Sequence, residues 1–159
     1  MSAKNRYYLT VGVTICYKSS ITKSRQAILS LFNNEMTCDK LANIDEYRSL
    51  KQKYNSDEFN EMNMDLIELN KPVQLIVVLD GNNRILWNSI KLLLNNLKRY
   101  YLNYLHCSIH FVNKHSVSVS RNKIINRAIG RYIKFCDDDD LSVNFNELLS
   151  IIQQNKHYD

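Results

Sequence analysis

The stretch SVSVSRNKIINRAIGRYIKFCDDDD, Ser116 to Asp140, decides the fold. It reads as a helix, a glycine stop, a short apolar strand and then four consecutive carboxylates. Ser120 is expected to cap the helix, Ile125, Ala128 and Ile129 to form its apolar face, and Gly130 to end it. Tyr132 to Cys136 is apolar apart from Lys134 and predicts a strand. Asp137, Asp138, Asp139 and Asp140 thus arrive at the carboxyl end of a strand, where open α/β sheets bind ligands. Adjacent carboxylates repel by about 1 kcal/mol per pair at ~4 Å in water, and several-fold more in a half-buried cleft. The run is therefore either fully solvated or neutralised by a cation, and a divalent metal held by oxygen ligands is the sharper reading.

Outward from this segment, strand and helix patterns alternate. LTVGVTICY, Leu9 to Tyr17, is a continuous run rich in β-branched residues and predicts a buried strand. A helix is expected over Thr22–Asn34, with Ser24, Ile28, Leu31 and Phe32 along one stripe. A second strand, Val73 to Leu79, stops at Asp80-Gly81. A long helix is expected over Ile85–Leu105, with a stripe of Leu86, Ile90, Leu93, Leu97, Tyr101 and Tyr104. Cys107 to Val112 is the third strand, and a closing amphipathic helix runs Phe145–Gln153. This order predicts an α/β fold with a mostly parallel, Rossmann-like sheet and flanking helices. Residues 36–71 break the alternation. There Asp39–Tyr54 and Ser56–Leu69 predict two extra helices, an acidic helical insertion between the first helix and the second strand.

At 159 residues the chain suits a single domain, residues 1–159, with a substantial core. An apolar content of 45% with 23% charged residues is ordinary for a globular protein. Three glycines and one proline favour long regular elements over loops. No apolar run approaches the ~20 residues of a membrane span, and the N-terminus lacks signal-peptide architecture. Cys16, Cys38, Cys107 and Cys136 show no CxxC spacing. They predict small buried hydrophobes in a reducing, cytoplasmic compartment. The net charge of +5 suits an anionic ligand. His106 and His110 flank Cys107, but four apart on a strand and without a second ligand pair they make a poor zinc site. The tyrosines of YYLNYLHC have helical spacing and predict core packing rather than base stacking, and no nucleic-acid motif is present.

Several segments together resemble the family 2 glycosyltransferases, whose nucleotide-sugar-binding domain has the GT-A fold. VTICYKS is similar to the family's V-S-I-I-I-P-x-Y-N, and AILSLFNNE to its A-L-x-S-[VIL]-L-x-Q. LIVVLDGNN is similar to I-[IV]-V-V-D-D-G-S. In the Ser116–Asp140 segment, Ser118, Arg121, Asn122, Ala128, Gly130, Tyr132, Ile133, Phe135, Asp137, Asp139 and Asp140 fall on family positions. Ser116 and Ile124 replace two loop glycines, Cys136 replaces a small residue, and Leu79 replaces the first carboxylate of the D-D-G-S turn.

The resemblance implies a nucleoside-diphosphate sugar as ligand. Asp80 would accept a hydrogen bond from the base, and Tyr17 would flank it. Arg121 would face the diphosphate. Asp137 and Asp139 would be the D-x-D pair, with Asp137 near the ribose and both holding Mn²⁺ or Mg²⁺; Asp138 would be a second ligand or solvent-facing. The family's acceptor half would supply a general base, and neither Glu147 nor Asp159 offers one in context. The expectation is therefore a donor-binding half, with a second copy or partner protein completing the acceptor site. A sugar transferase is one outcome. The other is a degenerate GT-A domain kept as a structural or binding module, as a virus with a compact genome could keep one. Neither nucleic acid nor an integral membrane segment is expected.

Overall fold

The computed structural model describes residues 6–33, 66–138 and 142–154. Four strands form one sheet among them: β1 (Leu9–Cys16), β2 (Val73–Asp80), β3 (Leu105–Val112) and β4 (Tyr132–Asp137). Their order is β3-β2-β1-β4, and every pairing is parallel. The Rossmann-like α/β architecture expected from the alternation is thus present. β1 and β2 are central, which is why LTVGVTIC and VQLIVVLD are nearly unbroken apolar runs: both faces are covered.

The helices are α1 (Ile21–Ser30), α2 (Arg84–Tyr101), α3 (Val117–Arg127) and α4 (Phe145–Gln154). α1, α2 and α4 share one face of the sheet, where Val11, Val13, Leu75 and Val77 meet Ile28, Leu86, Ile90, Leu93 and Phe145. α3 lies on the other, pressing Ile124 against Ile76 and Val78. That packing needs Gly12 on β1, because a Cβ there would stand 2.5 Å from Cγ2 of Ile124.

The structure corrects the expected anatomy of α3. The helix begins one turn earlier, capped by Ser116, whose hydroxyl accepts from the Val119 amide. Ser120 is buried one turn into the helix. Ile124 carries the contact, whereas Ile125 is 50% exposed. The run SVSVS offers three serines as caps, and of the expected face Ala128 does pack against the cluster of Ile76, Val78 and Ile124. Gly130 does not stop the helix either. It enters β4 where a Cβ would lie 2.6 Å from the Thr10 backbone nitrogen, so its role is close approach to β1.

Other differences are smaller. α1 ends at Ser30, with Leu31 and Phe32 in the following turn. α2 ends at Tyr101 because Leu102 takes a left-handed φ of 49°, and a 3₁₀ turn, Leu102–Tyr104, leads directly into β3. Tyr104 is consequently exposed instead of continuing the stripe. Cys16, expected to be buried, is exposed at the end of β1, while Cys107 and Cys136 are buried. Burial pushes the Cys107 thiol up to about 11 against the opposing pull of Lys98. Of the expected insertion, Leu66–Leu69 is not helical: Leu66 bridges Asn33 in antiparallel fashion and Ile67 donates to the Phe32 carbonyl. Residues 36–65 of that insertion, Cys38 among them, and Asp139 and Asp140 lie outside the described residues. No helix among the described residues is long and apolar enough to cross a membrane.

Candidate functional site

β1 is flanked by β2, reached through α1, and by β4, reached from the far edge through α3. The winding direction therefore reverses beside β1, and open α/β sheets bind ligands at the carboxyl ends of such strands. A cleft of about 570 Å³ lies there. Tyr17, Asp80, Arg121 and Asp137 all line it, brought together from the β1–α1 loop, β2, α3 and β4.

Asp80 occupies the end of β2 and is only 8% exposed. Its Oδ1 accepts the backbone N–H groups of Lys114 (3.0 Å) and His115 (2.9 Å), and its Oδ2 accepts that of Ser116 (2.7 Å). Burial alone would raise its pKa, but these three bonds and the nearby His115 bring it below the ordinary carboxylate value. A carboxylate accepts about four hydrogen bonds in all, so Asp80 mainly anchors the loop from β3 to α3. That loop carries His115, a non-glycine residue at φ 48°, whose ring meets Tyr17 edge-on at 5.0 Å.

Tyr17 is held from the β2 side. Its amide donates to the Asp80 carbonyl (3.0 Å), and its carbonyl accepts from Nδ2 of Asn83 (2.9 Å). The same Asn83 caps α2 through Oδ1. Beneath the ring lies Gly81, at φ 104°, where a Cβ would come within 2.5 Å of Tyr17 Cδ1. Asp-Gly-Asn-Asn is thus both a strand stop and a seat for the aromatic ring.

Asp137 stands opposite, at the end of β4. Its Oδ1 accepts from the Thr14 hydroxyl (3.3 Å) and lies 4.0 Å from Nη2 of Arg121, both side chains being about half exposed. At that exposure the ion pair adds little to stability. The Arg121 guanidinium also lies 5.6 Å from the centre of the Phe135 ring. Arg121 sits in the second turn of α3, not at its entry, and lines the cleft together with Val117 of the first turn. Lys18, His115, Ser116 and Ser120 also line the cleft. Lys18 and His115 carried no earlier expectation; the available signal was their place in the loops that follow β1 and β3.

Asp138 is tied to the β1–α1 turn through one of its oxygens. Its Oδ2 accepts from the amide of Cys16 (3.1 Å) and from the hydroxyl of Ser19. Among the described residues no three His, Cys, Asp or Glu side chains gather as a metal site. His106 and His110 both have lowered pKa values, through burial first and then through Lys98 and Arg6 for the one and Arg127 and Lys123 for the other. Cationic neighbours of this kind oppose a bound metal dication. The fold and cleft define a Rossmann-like α/β domain with a ligand-sized site at its strand reversal. The chain matches no family model, no curated protein and no solved structure.

Proposed function

We propose that the cleft binds a nucleoside diphosphate sugar and that the chain is a glycosyltransferase-like donor-binding domain. The observation that carries this reading is the convergence of Tyr17, Asp80, Arg121 and Asp137 in one cleft at the carboxyl edge of the sheet. Its volume suits a nucleotide. The aromatic corner made by Tyr17 and His115 offers a face for the base. Arg121 and the N-terminus of α3 offer charge and donors for a diphosphate. Asp137 offers a hard oxygen to Mn²⁺ or Mg²⁺, with Asp139 as the second oxygen ligand implied by the resemblance. Such a metal binds oxygen, keeps much of its water and acts as a Lewis acid on the departing diphosphate.

A donor-binding module without transfer activity of its own is favoured over a self-sufficient transferase. The carboxylates lining the cleft among the described residues are Asp80, Asp137 and Asp138. Two of them hold backbone N–H groups and the third faces Arg121, so none is placed as a general base. A second copy or a partner protein would complete an acceptor site.

Calorimetry with uridine diphosphate, with and without Mn²⁺, tests the binding. Mn²⁺ should strengthen binding to the wild type. Asp137→Asn and Asp139→Asn should lose the metal-dependent part while melting normally. Equal binding by wild type and variants, in both conditions, rejects the reading and makes the aspartate run a solvated loop.

A further inference from the structure

Asp138 interrupts the D-x-D pair with a third carboxylate, and its contacts give it a different task. Cys16, Tyr17, Lys18 and Ser19 form a tight turn, closed by the Ser19 amide donating to the Cys16 carbonyl at 2.9 Å. The two central residues, Tyr17 and Lys18, are the ones from the turn's tip that line the cleft. A single oxygen, Oδ2 of Asp138, accepts from the first residue through the Cys16 amide at 3.1 Å. It also accepts from the fourth residue through the Ser19 hydroxyl. One carboxylate oxygen therefore staples both ends of the turn to the exit of β4. On its other side the turn is tied to the exit of β2, by the Asp80 carbonyl and Asn83. The Lys18 ammonium lies 5.6 Å from the centre of the Tyr17 ring, within cation–π range.

We propose that Asp138 is a positioning residue for the aromatic corner: it sets the height of the Cys16–Ser19 turn so that Tyr17 and Lys18 close the cleft on the nucleobase side. The inference rests on the nucleotide reading of the cleft but makes a separate claim about the turn. Charge-assisted bonds of this kind are about twice as strong as neutral ones. Their carboxylate cannot act as an open metal ligand through the same oxygen. The metal and diphosphate side of the cleft belongs to Asp137 and Arg121, and the base side to the turn that Asp138 holds.

The test compares wild type, Asp138→Ala and Asp138→Asn by amide hydrogen exchange and by calorimetry. Asp138→Ala should speed exchange at Cys16 by about tenfold or more, the scale set by losing a hydrogen bond to a charged group. It should weaken uridine and uridine diphosphate by about the same factor, with and without Mn²⁺, and leave inorganic pyrophosphate binding unchanged. Asp138→Asn keeps an acceptor oxygen and should recover part of both effects. Unchanged exchange at Cys16 overturns the proposal. So does a loss of affinity seen only with Mn²⁺, or one equal for uridine and pyrophosphate, because each makes Asp138 a metal ligand or a general structural support. A wild type that binds no nucleotide, with a turn that loosens in Asp138→Ala, rejects the nucleotide reading and leaves the clamp standing.

Discussion

The amide of Ser116 donates to Oδ2 of Asp80 at 2.7 Å, joining the end of β2 to the residue that caps α3. Ser116 thereby does two things at once: its N–H satisfies a buried carboxylate, and its hydroxyl accepts from Val119 to begin the helix. The start of α3 is set by a residue 36 positions away. Everything α3 brings to the cleft depends on that contact, Arg121 above all.

Asp80→Asn should destabilise the fold by about 1–3 kcal/mol at neutral pH, since an amide turns an NH₂ toward N–H donors and leaves one or more of them unpaired. The pH dependence has a definite sign. The folded-state pKa lies below the unfolded value of about 3.9, so the stabilisation is fully present above that value and is lost as pH falls through the folded pKa. Urea denaturation at a series of pH values should show a shallower acid limb below about pH 4 in the variant than in the wild type. Identical limbs would mean that Asp80 does not anchor the loop as a carboxylate.

Gly81→Ala should damage stability and the aromatic corner together. The new methyl would meet Tyr17 at 2.5 Å on a backbone already at φ 104°, so either the ring or the turn must move. The cost should be about 1–3 kcal/mol, and each kcal/mol lowers the melting temperature by about 2–4 °C in a chain of this size. Uridine affinity should fall while pyrophosphate affinity holds. A variant that melts and binds as the wild type does would show that Tyr17 is not seated on Gly81.

Gln74→Leu tests the polar network under the end of α3. Gln74 is buried in β2, yet Oε1 accepts from the Thr10 hydroxyl (2.7 Å) and the Ile129 amide (2.9 Å), and Nε2 donates to the Arg127 carbonyl (3.2 Å). Leucine fills the volume but strands the Ile129 amide and the Arg127 carbonyl, at about 1–3 kcal/mol for each buried group left unpaired. The urea midpoint should drop with an unchanged slope. An increase in stability would mean that water replaces Gln74 at no loss.

These long-range contacts explain what the sequence could and could not convey. The four strands and the two strongly amphipathic helices were legible because burial alone produces their patterns: unbroken runs for β1 and β2, a four-and-three stripe for α2. The meeting of Tyr17, Asp80, Arg121 and Asp137 was legible too, since parallel order sends every strand's carboxyl end to one edge. The cap of α3 was not, because SVSVS presents equivalent serines locally and Asp80 decides among them. Gly130 reads locally as a helix stop and nothing in LTVGVTICY marks Gly12, yet both let one backbone or side chain approach another. The role of Asp138 was hidden for the same reason, its partners Cys16 and Ser19 lying 122 and 119 residues earlier.

Sugar transfer by this chain alone should be weak or undetectable even where donor binding is strong. On the proposed reading the cleft would hold the base, the diphosphate and the metal of a donor in its ground state. Transfer also needs an acceptor hydroxyl in line with the anomeric carbon and a base to take its proton. Asp80 and Asp138 already accept backbone N–H groups, and Asp137 faces Arg121, so protonating any of them would break contacts that build the site. Lacking a positioned general base typically costs on the order of 10²–10⁴ in rate, and an unpositioned acceptor costs more. Nucleoside diphosphate release from a uridine diphosphate sugar, measured across a panel of acceptors, should stay near background for the purified chain. It should rise only with a second protein or a higher oligomer that supplies the acceptor side. Fast release by a monomer, abolished in Asp137→Asn, would place a base inside this cleft and make the chain a complete transferase.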